Sequence, residues 1–455
     1  MMDLTNIGSK QIKILKDSSK LISSCNNCNI ESDSSFFLTS WCSGLGNLNL
    51  REISKIKFNP ILKIREIFKV LFSNSNIKSL KILDNKKNKK SYDNLIISYL
   101  DEKNFKNNYY YEKYFGLHSN TLKKTLLILI PLNKININKK YYNLNNLSII
   151  DIRYDNYFKN FFFTTIKIFI ILAYSLINKK LYSKKISGST FNIFLKKEIL
   201  KKIKQKSIKR LIFPYEAQPH QHELVKYLYE KTKIKIIGYM HTALPPLPAD
   251  YIKRRGAPKK ILVNGIIQKQ IMNKFLGWKK NEVNNIVSMR YKPKLILHFQ
   301  SKIFLPYDFS SSAQIIKSLE KLIYDSKKNY LPKFKIKNHP AKIYSKKHLK
   351  LEKKINDILK KYKYKLANSL KNKNISIFIG STASIAECLE RGVTALHITE
   401  NSLFESLNPK LWPSILATQL FNNVFKYKMK NQNKGYIIKI SNISNNNKKY
   451  LNYFN

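Results

Sequence analysis

Between Arg210 and Pro248 the chain reads RLIFPYEAQPHQHELVKYLYEKTKIKIIGYMHTALPPLP. Two short apolar runs, 211–215 and 234–240, flank a segment of helical length in which Leu224, Tyr227 and Leu228 recur at core-facing spacing. Strand, helix and strand at this spacing form the repeating unit of a parallel sheet. Each apolar run ends in polar groups: Glu216, Gln218, His220 and His222 after the first, His241 and Thr242 after the second. Ligands of parallel sheets sit beyond the carboxyl ends of the strands, so these side chains are site candidates.

The same rhythm continues downstream. Strand-like runs at 261–264, 295–299, 334–337, 375–379 and 393–398 alternate with amphipathic stretches at 266–276, 313–324 and 383–390. Upstream, 95–99 and 125–132 read as strands, 161–177 and 191–206 as helices, and 36–42 as a further strand. The Ser/Asn-rich stretch 18–35 reads as a loop, and 85–91 as a solvated connector. The expected fold class is α/β with parallel sheets. A chain of 455 residues exceeds one ordinary core. With a hinge at 292–294, the expected units are residues 1–290 (1–90 poorly defined), residues 291–425, and a peripheral Lys/Asn-rich tail, 426–455.

A formal charge of +56 invites a nucleic-acid partner. Only eight of the 84 basic residues are Arg, however, and the lysines are spread along the whole length. Lys, Asn, Ile, Tyr and Phe are over-used together, the mark of an AT-rich genome, and no nucleic-acid motif accompanies the charge. Nucleic acid is therefore not the expected partner; an anionic membrane surface and anionic substrates are. Four cysteines (Cys25, Cys28, Cys42 and Cys388) make no disulfide framework and suit a reducing compartment. No secretory signal is visible at the N-terminus, and the apolar run 161–177, which carries Lys167, reads as a buried or interfacial helix. The expected location is cytoplasmic, peripheral on the inner membrane.

Two features of the C-terminal unit suit a nucleotide. ISIFIGSTASIAECLER, ending at Arg391, is an apolar strand, a glycine turn and a helix. Gly380 allows the tight turn, and Ser381, Thr382 and Ser384 place hydroxyls and N–H groups at the positive end of the helix, where phosphate binds. Glu387, one turn in, can accept from ribose hydroxyls. Earlier, Lys337-Asn338-His339-Pro340 ends another strand, expected to lie beside the first, so that His339 reaches the same cleft. The bland alternatives are helix capping by Ser381, Thr382, Gln218 and His222, and a surface His339.

KNHP followed by GSTASIAECLERG resembles the C-terminal half of GT-B glycosyltransferases, closest to the inverting polysialyltransferases and Kdo transferases that use CMP-activated sugars. That resemblance implies two Rossmann-like domains facing each other across a cleft, with His339, Pro340, Ser381 and Thr382 on the CMP phosphate. It also implies a carboxylate base in the first domain, matched here by Glu216, although the acidic dipeptide of those families is absent. YDNLIISYLDEKNF, YYYEKYFGLHS, PYEAQPHQ, YMHTALP and the MRY ending at Tyr291 resemble bacterial surface carbohydrate biosynthesis proteins. The expected activity is transfer of a sugar from a nucleotide donor, CMP-linked, to a surface-polysaccharide or lipid-linked acceptor. Glu216 would act as base, with His220 or His222 as substitute or orienter, and Gln218, His222, His241 and Thr242 on the acceptor side, His220 and His241 being counted with the catalytic residues. No Asp-x-Asp motif is present, and neither metal nor cofactor is expected. The rival readings are a CDP-glycerol-type polyol-phosphate transferase, a nucleotide-sugar epimerase of the same fold, and a basic nucleic-acid-binding protein.

Overall fold

The computed structural model describes residues 3–26, 44–57, 59, 61–62, 64–66, 77–84, 91–131, 144, 146–154, 166, 169, 190–291, 299–339, 345–367, 374–430 and 435–440. Pro340, the hinge 292–294, the strand expected at 36–42 and most of 161–177 lie outside them.

Two helices open the chain, α1 (Leu4–Asn26) and α2 (Gly44–Ile53). The first sheet and its helices follow: β1 (Ile77–Asp84), β2 (Asn94–Leu100), the small hairpin β3 (Tyr111–Glu112) and β4 (Leu117–His118), β5 (Thr125–Pro131), β6 (Leu147–Tyr154), α3 (Thr190–Gln205), β7 (Arg210–Pro214), α4 (Pro219–Lys231), β8 (Lys235–Tyr239), β9 (Lys260–Val263), α5 (Ile266–Phe275) and β10 (Val283–Asn285). The second comprises β11 (Lys302–Phe304), α6 (Ser312–Tyr324), β12 (Lys335–Lys337), α7 (Lys346–Lys361), β13 (Ile375–Ile379), α8 (Ser384–Glu390), β14 (Thr394–Ile398), α9 (Ser402–Glu405), β15 (Ile415–Phe421) and β16 (Val424–Met429).

The protein is mixed α/β with parallel-rich sheets. Eight strands lie in the order β1-β6-β5-β2-β7-β8-β9-β10, all parallel except β1 against β6. Six more lie in the order β12-β11-β13-β14-β16-β15, of which the first four are parallel. A central parallel strand is covered on both faces and so reads as one apolar run. In β2, Leu95, Ile97 and Tyr99 enter one core while Ile96 and Leu100 enter another. The second core is closed by Phe105, Tyr110 and Phe115, carried around the β3–β4 hairpin.

Chain order reverses at one point in each sheet. In the first, β2, β5 and β6 progress one way from the centre and β7 to β10 the other, so the switch falls between β2 and β7. In the second it falls between β11 and β13. A crevice opens at the carboxyl edge of such a point, because successive connections leave to opposite sides.

Three readings change. The loop expected from residue 18 is helix as far as Asn26, because Ile7, Ile14, Leu15 and Ile22 form one buried stripe and Ser18 itself is buried. The strand ends carrying His339 and Gly380 are not adjacent: β11 lies between β12 and β13, which sets them about 10 Å apart, two strand spacings. Residues 435–440, read as peripheral tail, bury Ile437 and Ile438 completely against the first unit. Gln268 Nε2 donates to Ile437 O (2.7 Å), and Ile267 N–H to Tyr436 O (2.9 Å). Glu390, on α8, accepts the N–H groups of Gly435, Ile437 and Ile438. This strap crosses from the second unit to the first. The opening helix makes the reverse crossing, with Gln11 Nε2 donating to Leu403 O (3.0 Å) and Ser406 O (2.9 Å).

Candidate active site

Glu216 stands at the switch point of the first sheet, in the loop that leaves β7. The next residue, Ala217, has φ +55, a left-handed conformation unusual for a residue with a β-carbon. Gln221, in the first turn of α4, holds the loop there. Its Nε2 donates to Pro214 O (2.7 Å), and its Oε1 accepts the N–H groups of Glu216 (3.0 Å) and Gln218 (3.2 Å). Pro219 then starts α4, where its missing N–H costs nothing.

The Glu216 carboxyl is 25% exposed, and its Oε1 lies 3.4 Å from Nε2 of His241, which is 3% exposed at the carboxyl end of β8. Burial pushes Glu216 up to about 7, against the lowering pull of Arg290 and of Gln218. Burial, with Arg290 and Lys113 adding to it, pushes His241 well below its usual value. His241 is therefore a neutral imidazole, and its contact with Glu216 is not an ion pair. A partly exposed carboxylate that titrates near neutrality can take a proton from a substrate hydroxyl.

Tyr114 and Arg290 complete the wall. The Tyr114 ring meets the His241 ring edge-on at 4.3 Å between centroids, and Arg290 Cζ lies 5.5 Å from the Tyr114 centroid. Tyr114 is placed by Glu112, whose buried carboxyl accepts from Ser98 Oγ (2.5 Å) and Phe115 N–H (2.6 Å). Burial raises Glu112 to about 7. Arg290 is placed by its neighbour, since Met289 N–H donates to the Tyr239 hydroxyl (2.9 Å). Gly116, at φ +64, lets the hairpin pass close: a β-carbon there would stand 2.9 Å from Met289 O.

The remaining candidates in this unit divide. His220 is half-buried, with Nε2 3.4 Å from the Tyr99 hydroxyl across the switch point, in a crevice also lined by Ser98, Phe213, Pro214 and Leu224. Burial lowers it to about 4. His222 is 0% exposed, with Nε2 2.8 Å from the Tyr215 hydroxyl, so it belongs to the core and not to the acceptor side. Gln218 caps α4 beside Glu216. Thr242 is half-exposed at the start of a loop tied to the second unit by Trp412 Nε1, which donates to Pro246 O (3.3 Å).

At the other switch point, Gly380 ends β13 at φ +67, and a β-carbon there would lie 3.1 Å from Pro306 Cβ. His397, buried and held near pKa 4 by burial, has Nε2 2.7 Å from Gly380 O. The N–H groups of Ser381, Thr382 and Ala383 meet no acceptor among the described residues. Thr382 Oγ1 accepts Ser384 N–H (3.3 Å) at the start of α8, as a capping side chain does. A glycine in the left-handed region followed by outward N–H groups forms a concave anion acceptor. Glu387 is engaged by Arg391, 2.8 Å from Nη2 and 3.2 Å from Nε, and burial raises it while Arg391, Arg290 and Lys337 pull it down. His339 is half-buried, edge-on to Tyr307 at 5.2 Å. The helix N-terminus of α6 is already occupied: Glu400 accepts from Ser310 and Ser311 N–H there.

Among the described residues, no group of three or more His, Cys, Asp or Glu could hold a metal ion, and no helix is long and apolar enough to cross a membrane.

Glu216 carries a stability prediction. Its folded pKa, about 7 against an ordinary 4.5, means the folded chain binds this proton more tightly than the unfolded chain. That stabilisation is full below the unfolded value and is lost as pH rises through the folded one. Glu216→Gln therefore raises Tm by about 2 °C near pH 8 and by much less near pH 4.5. Calorimetry at both values checks this, and an equal shift at both contradicts it.

No protein-family model matches the chain, and no curated protein matches it. Among solved structures, the chain is similar to a glycosyltransferase from Rickettsia africae ESF-5, at 12% identity and a TM-score of 0.30, over 68% of this chain and 79% of that one.

Proposed function

We propose that the protein is an inverting glycosyltransferase of GT-B-like plan, in which Rossmann-like units of residues 1–290 and 291–425 face each other across a cleft. The observation that carries the reading is the pairing of switch points. One holds a carboxylate that titrates near neutrality, Glu216, and the other an anion-accepting turn from Gly380 to Thr382. The charge of Arg290 acts on Glu216 of the first unit and on Glu387 of the second, which supports a shared cleft.

In this reading Glu216 removes the acceptor hydroxyl proton as its oxygen bonds to the anomeric carbon. The bond from that carbon to the donor phosphate breaks, and the phosphate leaves with the electron pair. Its charge is received by the Ser381 and Thr382 N–H groups, with His339 at the rim. His241 stays neutral and orients Glu216. By the family resemblance the donor is CMP-linked, the acceptor a surface-polysaccharide or lipid-linked saccharide, and no metal takes part. The chain would work at the cytoplasmic face of an anionic membrane.

Thermal stabilisation by CMP, CDP, UDP, GDP and a CMP-sugar, with and without magnesium, tests this. Selective stabilisation by CMP without magnesium is expected, weakened about tenfold in apparent affinity by His339→Ala. A preference for UDP would favour the epimerase, and no response to any nucleotide overturns the enzyme reading.

A further inference from the structure

One charged group in this site has no task in the transfer step. Arg290 is half-buried, with its guanidinium carbon 5.5 Å from the centroid of Tyr114 and 5.5 Å from that of Tyr291. Those rings flank the guanidinium, and the Met289–Tyr239 bond fixes the backbone beneath it. Among the described residues the guanidinium donates no hydrogen bond and makes no ion pair within 4.0 Å. A guanidinium has five N–H donors in one plane, and leaving them unmet in a partly buried site is costly. Arg391, by contrast, is committed to Glu387.

A ring-flanked cation with no hydrogen-bond or ion-pair partner among the described residues, placed where it acts on carboxylates of both units, fits an anion that bridges them. Guanidinium and phosphate match as a two-bond pair. Lys337, at the end of β12, adds positive charge from the second unit and also acts on Glu387.

We propose that Arg290 is a ligand of the donor phosphate contributed by the first unit, so that the nucleotide is gripped from both sheets. The inference rests on the transferase reading and deepens it, by naming how the donor side reaches the base. It has a readout beyond affinity. The groups facing Glu216 are His241 from the end of β8, Gln218 from its own loop, Tyr114 from the hairpin, and Arg290, while Lys113 acts on His241. Of these, Arg290 is first among those that hold the carboxyl ionised. Once its charge is shared with a phosphate, and the phosphate's own negative charge stands nearby, Glu216 holds its proton more tightly. Nucleotide binding near neutral pH then draws a fraction of a proton from solvent.

The test is calorimetric titration of the full chain with CMP, and with UDP as second probe, near pH 7 in two buffers of different ionisation enthalpy. Wild type is expected to take up part of a proton. Glu216→Gln should bind the nucleotide with no uptake. Arg290→Ala should bind at least about tenfold more weakly, again without uptake, and Arg290→Lys should fall between. If Arg290→Ala does not fold, as judged by melting without nucleotide, Arg290→Lys carries the comparison. Wild-type affinity and uptake retained in these variants overturn the inference alone. Failure of wild type to bind either nucleotide overturns the transferase reading and this inference with it.

Discussion

In the proposed transferase, Glu216→Gln is expected to lower kcat by about 10²- to 10⁴-fold and to leave nucleotide affinity within about a factor of two, the signature of a lost proton acceptor. Gln keeps the shape of Glu and removes only its capacity to take a proton. Because the base must be ionised to act, the wild-type kcat/KM, which reports the nucleotide-free enzyme, should rise with pH through an apparent pKa of about 7, the value to which burial pushes this carboxyl. An ordinary surface glutamate would place that limb near pH 4.3. The histidines at hand would leave a different trace: burial holds His220 at about 4 and His241 well below its ordinary value. The pH–rate profiles of wild type and variant decide the matter. A variant that keeps full activity with the limb near 7 shows that the base is another residue.

Gly265→Ala should destabilise the protein by more than about 3 kcal/mol, although it adds a single methyl group. Gly265 precedes α5, and a β-carbon there would stand 1.9 Å from Ile437 O and 2.5 Å from Tyr436 O. Those atoms are backbone and cannot rotate away, so the strap must lift. It then gives up the bonds from Gln268 and Ile267 and re-exposes Ile437 and Ile438. Each buried Ile is worth about 1.5–3 kcal/mol, and each buried bond about 1 kcal/mol. Calorimetry should show Tm lower by several degrees, and limited proteolysis should cut the variant at 435–440 before anything else. A Tm within about 1 °C of wild type would mean that the strap contributes little.

What the sequence made legible follows from burial. Parallel strands covered on both faces write themselves as apolar runs, so β13 was readable over its full length as ISIFI. The alternating strand β15, half-exposed along its length, left no such run. Strand order was not readable. β11 is three residues, Lys302 to Phe304, too short to stand out, and its place between β12 and β13 separates two motifs that look like neighbours in the sequence. Within the site, Glu216 and His241 could be named because both end apolar strands. His220 and His222 looked equivalent, but residues two apart on a helix face different sides. One reaches the crevice and the other the core. Tyr114 and Gln221 carried no signal, since their importance lies in contacts distant in sequence or local to one loop. Arg290 did carry one. In a chain that uses Lys for nearly every cation, an Arg beside tyrosines is a candidate for a place where a plain charge does not suffice. Arg254 is buried, and Arg391 is paired with Glu387.

The crossing of α1 into the second unit and of the strap into the first has a consequence for biosynthesis. The ribosome makes α1 before either sheet, yet its acceptors at Leu403 and Ser406 emerge nearly four hundred residues later. The strap, which seals the first unit, emerges later still. Neither sheet can reach its final form until residues 403–440 have emerged, and the nascent first sheet waits with its flank open. The second crossing therefore closes last, and a chain stopped before residue 435 leaves the flank of the first sheet at Gly265 and Gln268 uncovered.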